Sequence, residues 1–299
     1  MVSPAHKRKA VALLVEEEGY PVRRACRYFQ LYRSTFQYVL QRPQEKHARL
    51  IERLTALSWK HPRYGYRRIV ALLRREGWTA SKKQVQRLRR LVGLKVKPPK
   101  KRVRRRGAST GWLERATHRH QVWSWDFIHD RTDNGGTLKM LTLIDEYSRQ
   151  CLAIHPARTL KSEDVLEVVK EAVREHGAPD YLRSDNGSEF IAHVVQDWFR
   201  EHRIKTIYIE PASPWQNGWI ESFHARLRDE CLNRELLLNL REARVVIEDF
   251  RVDYNQNRPH SKLGYLSPNQ WIEKQSSSPD YARPAGLATS RLEQSDNIN

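Results

Sequence analysis

The stretch QVWSWDFIHD, residues 121–130, is dense in aromatic and β-branched side chains, which favour strands. The segments LKMLTLIDEY (138–147) and CLAIHPAR (151–158) follow it with the same character, separated by turn-forming residues at 134–136 and 148–150. Strand-like runs bounded by turn formers are typical of consecutive strands, so these segments predict three of them.

Downstream of these strands, helical and strand-like segments alternate. Ser162 caps a predicted helix over 163–175, and a predicted strand over 181–184 follows it. The next elements are a helix over 189–202 and a fifth strand over 204–209. This order, βββαβα and then β with further helices, predicts an α/β domain with a mixed sheet and helices on its faces.

Upstream of the strands the charge changes sharply. The chain of 299 residues has 54 Lys and Arg against 35 Asp and Glu, a net charge of +19. Residues 1–120 carry 32 of the basic and 7 of the acidic residues, a net of +25, whereas residues 121–299 have a net of −6. Such a concentration of positive charge favours a polyanionic partner, DNA or RNA, over a merely soluble or ribosome-associated basic protein.

The composition also excludes several classes of protein. No apolar run approaches the roughly 18–20 residues that a membrane span needs, and the first twenty residues do not form a signal peptide. The three cysteines are far apart, without a CxxC pair, and so indicate neither a disulfide framework nor a zinc site. We therefore predict a protein of the reducing cytoplasm with no membrane partner.

The basic region divides into two predicted all-α units. Residues 1–43 predict three short helices, the last two joined by a tight turn as in a helix-turn-helix; a three-helix bundle without a DNA role is the alternative. Residues 44–94 predict a second helical DNA-binding unit. Its last helix, over 82–92, carries five basic residues that we assign to one polar face: Lys82, Lys83, Arg87, Arg89 and Arg90. A face of a single sign favours contact with phosphates over simple solvation, and Lys82, Lys83 and Arg87 are the DNA contacts we predict.

The remaining boundaries follow from composition. Residues 95–120 form a predicted linker, whose first twelve residues, KVKPPKKRVRRR, include eight basic residues and two adjacent prolines. The α/β core occupies 121–274, and the Ser/Pro-rich tail over 275–299 is predicted to be disordered.

Three acids of the α/β region stand out by their positions. Asp126 lies in the middle of a strand among aromatic residues, Asp185 follows a strand directly, and Glu221 begins a helix after a loop. Each has an ordinary structural explanation on its own, as a turn former or a residue at a helix N-terminus. Together they suit Mg²⁺ or Mn²⁺, and two such ions about 3.5–4 Å apart can hold the attacking and leaving oxygens of a phosphoryl transfer.

The spacing and surroundings of these acids resemble a known family. Thirty-five residues separate Asp185 from Glu221, and the three acids lie in the motifs WSWDFI, SDNGSEF and SPWQNGWIESFHARLRDE. These motifs are similar to the D,D(35)E core of retroviral integrases and, more closely, to insertion-sequence transposases, the second-frame protein of the IS-three family. The segments YGYRRIVALLRREGW (64–78) and YNQNRPHSKLGYLSP (254–268) extend the resemblance over most of the chain.

The resemblance implies an RNase H-like fold and a site with named residues. Asp126, Asp185 and Glu221 would be the catalytic, metal-binding triad, holding two Mg²⁺ or Mn²⁺ ions. Arg228 would contact DNA phosphate, and three further residues would line the site near DNA: Asn186, Ser188 and Asn217. The implied reaction is cleavage of a strand by water at the end of the element, followed by attack of the freed 3′-hydroxyl on another phosphodiester.

The resemblance also implies partners, and two alternatives stay open. The expected partners are double-stranded DNA, as element ends and target, further copies of this chain on that DNA, and an upstream-frame protein. The expected location is the bacterial nucleoid. The alternatives are a helix-turn-helix regulator with an inactive core and a simple nuclease of the RNase H type.

Overall fold

The N-terminal helices form the first of three packed regions. The computed structural model describes residues 4–37, 47–96, 115–185, 187–209 and 217–277. The first helices are α1 (Pro4–Glu16), α2 (Val22–Tyr28) and α3 (Arg33–Gln37). They enclose a small core of Val11, Ala25 and Cys26. The predicted tight turn joins α2 to α3, and the rest of the predicted third helix lies outside the described residues.

A second helical unit follows, with α4 (Ala48–Lys60), α5 (Tyr66–Arg75) and α6 (Lys82–Leu91). Buried aliphatic side chains of these helices and Tyr64 form its core, with Leu54, Ile69, Leu73, Val85 and Leu88 among the most deeply buried. Ser81 caps α6, since its Oγ accepts a hydrogen bond of 3.1 Å from the backbone N–H of Gln84.

The α/β region is built on one five-stranded sheet. Its strands are β1 (Val122–Arg131), β2 (Thr137–Asp145), β3 (Cys151–Ala157), β4 (Tyr181–Ser184) and β5 (Lys205–Tyr208). Their spatial order is β3-β2-β1-β4-β5. The first three pair antiparallel, whereas β1–β4 and β4–β5 are parallel pairs. The sheet is therefore mixed, as the order of elements predicted.

Helices cover both faces of this sheet. One face packs against α7 (Ser162–His176), α8 (Ser188–Ile191) and α9 (His193–Glu201), with Trp123 and Trp125 at the centre of the core. The other face packs against α10 (Gly218–Leu227) and α11 (Leu240–Gln256). A π-helical turn (Arg228–Leu232) continues α10, and α12 (Pro268–Ser276) ends the described chain.

One predicted helix is divided in two. The sequence predicted a helix over 189–202, and the structure interrupts it at Ala192, whose ψ of 138° is extended. The side chain of Gln196 donates to the carbonyl of Phe190 at 2.8 Å, which satisfies a backbone group that the break leaves open. The Phe190 ring stacks on Trp125 with centroids 4.5 Å apart, so tertiary packing sets the break.

None of the described helices combines the length and the apolar character that a membrane-spanning helix requires.

Candidate active site

The register between β1 and β4 places two of the three predicted acids side by side. The strands are parallel, with Ser124 opposite Arg183. Two residues further along, the same register brings Asp126 level with Asp185, which directly follows β4. Adjacent strands lie about 4.8 Å apart, and alternate residues share a face. The register thus brings Asp126 and Asp185 to neighbouring positions on the sheet.

The third acid lies on α10, the helix that packs on the same face of the sheet as Asp126, and its charge acts on Asp126. Asp126 shares its face of the sheet with Ile128, and the buried residues of α10 pack on that face: Ile220, Phe223 and Leu227. Glu221 is exposed in the first turn of α10. That turn is held by Arg149, whose guanidinium carbon lies 3.5 Å from the ring centre of Trp219.

The electrostatics of Asp126 reflect its burial and its acidic neighbours. Burial is the main cause of a raised pKa at Asp126; together with the negative charges of Asp185 and Glu221, and against the lowering effect of the hydrogen bond from the Phe127 N–H, it brings that pKa to about 7. A carboxyl group in such surroundings is half-protonated near neutral pH. Cation binding is favoured there because a positive ion compensates both the desolvation and the repulsion.

His224 lies beside Asp126, although the sequence analysis gave it no role. Its Nε2 lies 2.7 Å from the Thr142 hydroxyl, and its Nδ1 lies 3.8 Å from Asp126 Oδ2. Burial, together with the charge of Arg228, lowers the pKa of His224 to about 4, so the ring is neutral at pH 7. Its spacing of three residues after Glu221 puts it on the same side of α10, and that spacing was the available signal.

The three carboxylates are the right kind of ligand for a divalent ion, but the structure does not show them arranged around one site. Carboxylate oxygens are the ligands that Mg²⁺ and Mn²⁺ prefer. Among the described residues, no group of three or more His, Cys, Asp or Glu side chains is arranged closely enough to hold a metal ion. The side chains therefore have to turn toward one another to coordinate a cation.

The other predicted site residues have mixed outcomes. Arg228 is exposed at the start of the π-helical turn, and its Nη2 donates to the carbonyl of His129 at 3.0 Å. Asn217 is 4% exposed, and its Oδ1 has no hydrogen-bond partner among the described residues. Asn186 and the side chain of Ser188 lie outside the described part of the chain. Their contacts with DNA stay predictions.

The basic face of α6 is smaller than the sequence suggested. Lys82, Lys83 and Arg87 are exposed, as a contact with phosphates requires. Arg89, which we assigned to the same face, is 4% exposed, and its Nη1 donates to the carbonyl of Tyr64 at 2.8 Å. That assignment was wrong because Arg89 completes a buried hydrogen bond within the helical unit.

A buried ion pair fixes the strand that leads to Asp185. Glu146, just after β2, accepts hydrogen bonds from the Ser124 hydroxyl and from Arg183 Nε, the latter at 2.8 Å. Both members of the ion pair are buried, and Arg183 lies two residues before Asp185. Glu146 therefore links β1 to β4, the two strands that carry Asp126 and lead to Asp185.

Comparisons with known families match these regions. Two models described as the integrase core domain match residues 116–214 and 202–268. A model described as an HTH-like domain matches residues 45–102.

Relatives match over most of the chain. A 39.2 kDa protein of the insertion element IS476 from Xanthomonas euvesicatoria is 36% identical over 90% of this chain and 78% of its own length. The transposase InsF of the insertion sequence IS3A from Escherichia coli is 26% identical over 74% of this chain and 81% of its own length. A solved structure of the HTLV-2 integrase catalytic core domain in complex with magnesium covers 52% of this chain and 98% of its own, at 16% identity and a TM-score of 0.42.

The mixed sheet with helices on both faces, the integrase-core and HTH-like matches, and 36% identity over nine-tenths of the chain converge on one family. The chain belongs to the insertion-sequence transposases of the IS-three family, enzymes of the DDE type with an RNase H-like integrase core.

Proposed function

We propose that this chain is a DNA transposase in which Asp126, Asp185 and Glu221 bind two divalent ions, Mg²⁺ or Mn²⁺. The observation that carries this proposal is the register of β1 and β4, which puts Asp126 level with Asp185 beneath α10. The raised pKa of Asp126 supports it, because buried acids that repel one another are costly unless a cation compensates them.

Side chains of this protein would bind the ions, support the site and contact the DNA. A bound pair of divalent ions activates the attacking oxygen and stabilises charge on the phosphate. Asp126 would bind the ions as a carboxylate, and His224, neutral at pH 7, lies 2.7 Å from the Thr142 hydroxyl and 3.8 Å from Asp126 Oδ2. Arg228, exposed at the start of the helical extension of α10, is the residue that we propose contacts the DNA backbone.

Two successive displacements at phosphorus make up the reaction. Water attacks a phosphodiester at the element end, the bond to the 3′ oxygen breaks, and a 3′-hydroxyl is released. That hydroxyl loses its proton and attacks a target phosphodiester, whose own 3′ oxygen leaves. No covalent enzyme intermediate and no ATP are required.

The proposal is tested with purified full-length chain, Mg²⁺ and duplexes that carry the DNA ends flanking its coding sequence. We expect both cut and joined products, and we expect EDTA to remove both while gel-shift binding remains. Cutting without joining would support the nuclease alternative. Binding without either reaction, under Mg²⁺ and under Mn²⁺, would support the regulator.

A second prediction concerns the DNA-binding face of α6. Changing Lys82, Lys83 and Arg87 together to Gln should weaken binding to a 40-base-pair duplex and reduce the slope of log K against log salt by about three, roughly one per lost phosphate contact. The slope is measured by fluorescence anisotropy between about 50 and 200 mM salt.

The matched control removes three surface charges from helices of the α/β region instead: Lys170, Arg174 and Arg200. Each of these pairs with a carboxylate three residues earlier on its own helix. Their triple change to Gln should leave the slope unchanged. An unchanged slope in the α6 variant would remove that helix from the interface.

The wider organisation is also part of the proposal. Joining two ends requires at least two active sites near one another, so we propose that copies of the chain assemble on DNA, with an upstream-frame protein as a further partner, in the bacterial nucleoid. We keep the predicted domain bounds of 1–43, 44–94, 95–120, 121–274 and 275–299. Limited proteolysis should cut first within 95–120 and 275–299.

A further inference from the structure

Glu230 is a buried acid that the reaction does not use. It lies in the π-helical turn after α10 and is 8% exposed. Arg258 holds it with two parallel hydrogen bonds, Nε to Oε2 at 2.6 Å and Nη2 to Oε1 at 2.7 Å. A bidentate arginine–carboxylate pair of this kind fixes both orientation and distance.

A second partner of Glu230 comes from the helical unit of α4, α5 and α6. Arg68 of α5 donates from Nη1 to Glu230 Oε1 at 3.0 Å, across 162 residues of sequence. Seven residues further along α5, Arg75 donates to the backbone carbonyls of Asn257 and Tyr265 at 2.7 and 2.8 Å. Residues seven apart share a face of a helix. One face of α5 therefore docks on the core region that surrounds Glu230.

Glu230 lies on the same helical rod, α10 together with the π-helical turn, as Glu221, a proposed metal ligand. Glu230 follows Glu221 by nine residues, and α10 runs without interruption into the π-helical turn. At 1.5 Å per residue the two acids are about 13 Å apart along the rod. A π-helical turn changes the rotation of the residues beyond it, and such turns often occur at functional sites.

We propose that Glu230 is a positioning residue: through Arg68 it ties the second helical unit to α10 and thereby sets where Glu221 presents its carboxylate. The inference rests on the proposed function, because it assigns Glu221 to metal binding. DNA held by α6 then has a fixed position relative to the triad, since α5 and α6 share one core.

The decisive variant is Arg68→Met in the full chain. It removes the hydrogen bond that ties the second helical unit to Glu230, keeps about the same side-chain length, and leaves Glu230 paired with Arg258. Arg53→Met is the matched control, because Arg53 pairs with Glu76 inside the same helical unit. We expect backbone amides of 219–232 to exchange with deuterium at least about fivefold faster in Arg68→Met than in wild type, and unchanged in the control. Unchanged exchange in Arg68→Met would overturn the inference.

A second readout separates positioning from mere packing. Mn²⁺ affinity, measured by electron paramagnetic resonance, should fall about tenfold in Arg68→Met, with Arg68→Lys restoring most of it. Affinity for a 40-base-pair duplex should stay within about twofold. Faster exchange with unchanged Mn²⁺ affinity would overturn the positioning role.

The same measurements separate the inference from the proposed function. If wild-type chain shows no Mn²⁺ site that Asp126→Asn removes, the triad itself is wrong, whatever Arg68→Met does. If that site exists, the Arg68 variants decide the role of Glu230 alone. Arg75→Met, which removes two hydrogen bonds of the same face, should shift amide exchange in the same direction.

Discussion

Changing Asp126 to Asn, Asp185 to Asn or Glu221 to Gln, one at a time, should reduce strand cutting and joining at least about a thousandfold. A loss of this size corresponds to about 4 kcal/mol of transition-state stabilisation, which is the scale expected when a metal ligand loses its charge. The measurement is the initial rate of both steps on end-bearing duplexes with Mg²⁺. Each variant changes a single carboxyl oxygen to an amide nitrogen, so side-chain volume is conserved.

DNA affinity should barely change in the same three variants. The proposed phosphate contacts lie on α6 and on Arg228, and the site acids repel phosphate rather than attract it. We expect gel-shift affinity within about twofold of wild type, or slightly tighter. Loss of activity with intact binding distinguishes a chemical role from misfolding.

A matched control lies on the same strand as Asp126. Asp130 is four residues further along β1, and its carboxylate accepts a hydrogen bond of 2.8 Å from the Arg131 N–H. Asp130→Asn makes the same chemical change outside the proposed triad and should keep near-wild-type rates. If any triad variant behaved like Asp130→Asn, that residue would not be a metal ligand.

The site could be predicted from sequence only where local signals exist. Asp126 and Asp185 were marked by their positions in and after strands, and the register of two parallel strands then aligned them. Glu221 was marked by its position at the start of a helix after a loop, and the resemblance added its grouping with the two aspartates. The contact between His224 and Thr142 spans 82 residues, and nothing in the local sequence announces it.

Secondary structure followed the sequence more closely than long-range contacts did. The helix predicted over 163–175 is Ser162–His176, and the strand predicted over 204–209 is Lys205–Tyr208. The break at Ala192 escaped prediction because packing of Phe190 on Trp125 sets it, not a proline or glycine. Arg89 was misassigned for the same reason: a partner 25 residues away buries it.

The ion cluster of Glu230 with Arg68 and Arg258 joins residues far apart in sequence, so no local pattern could reveal it. Glu230→Gln should lower the free energy of unfolding by about 3–5 kcal/mol, because it leaves the cations of Arg68 and Arg258 without their shared counterion. Arg258 is 3% exposed, so water cannot replace that counterion well. Urea denaturation followed by circular dichroism measures the change.

An exposed pair provides the comparison for this stability effect. Glu76 pairs with Arg53, and their side chains are 31% and 45% exposed. Glu76→Gln makes the same substitution in a salt bridge that solvent screens, so the loss should be under about 1 kcal/mol. Equal losses in the two variants would show that burial of Glu230 contributes nothing.

The pH dependence of the same difference has a definite sign. Burial acts to raise the pKa of Glu230, but hydrogen bonds from Arg258 and the charges of Arg258 and Arg68 outweigh it and hold that pKa below its ordinary value of 4.5. A carboxyl whose pKa is lowered by folding stabilises the folded chain above the unfolded pKa and loses that contribution as pH falls through the folded one. The stability difference between wild type and Glu230→Gln should therefore be constant from neutral pH down to about pH 5 and shrink below pH 4.5. A difference that grew on acidification would mean that the pKa of Glu230 is raised by folding and that its ion pairs with Arg258 and Arg68 do not stabilise the carboxylate.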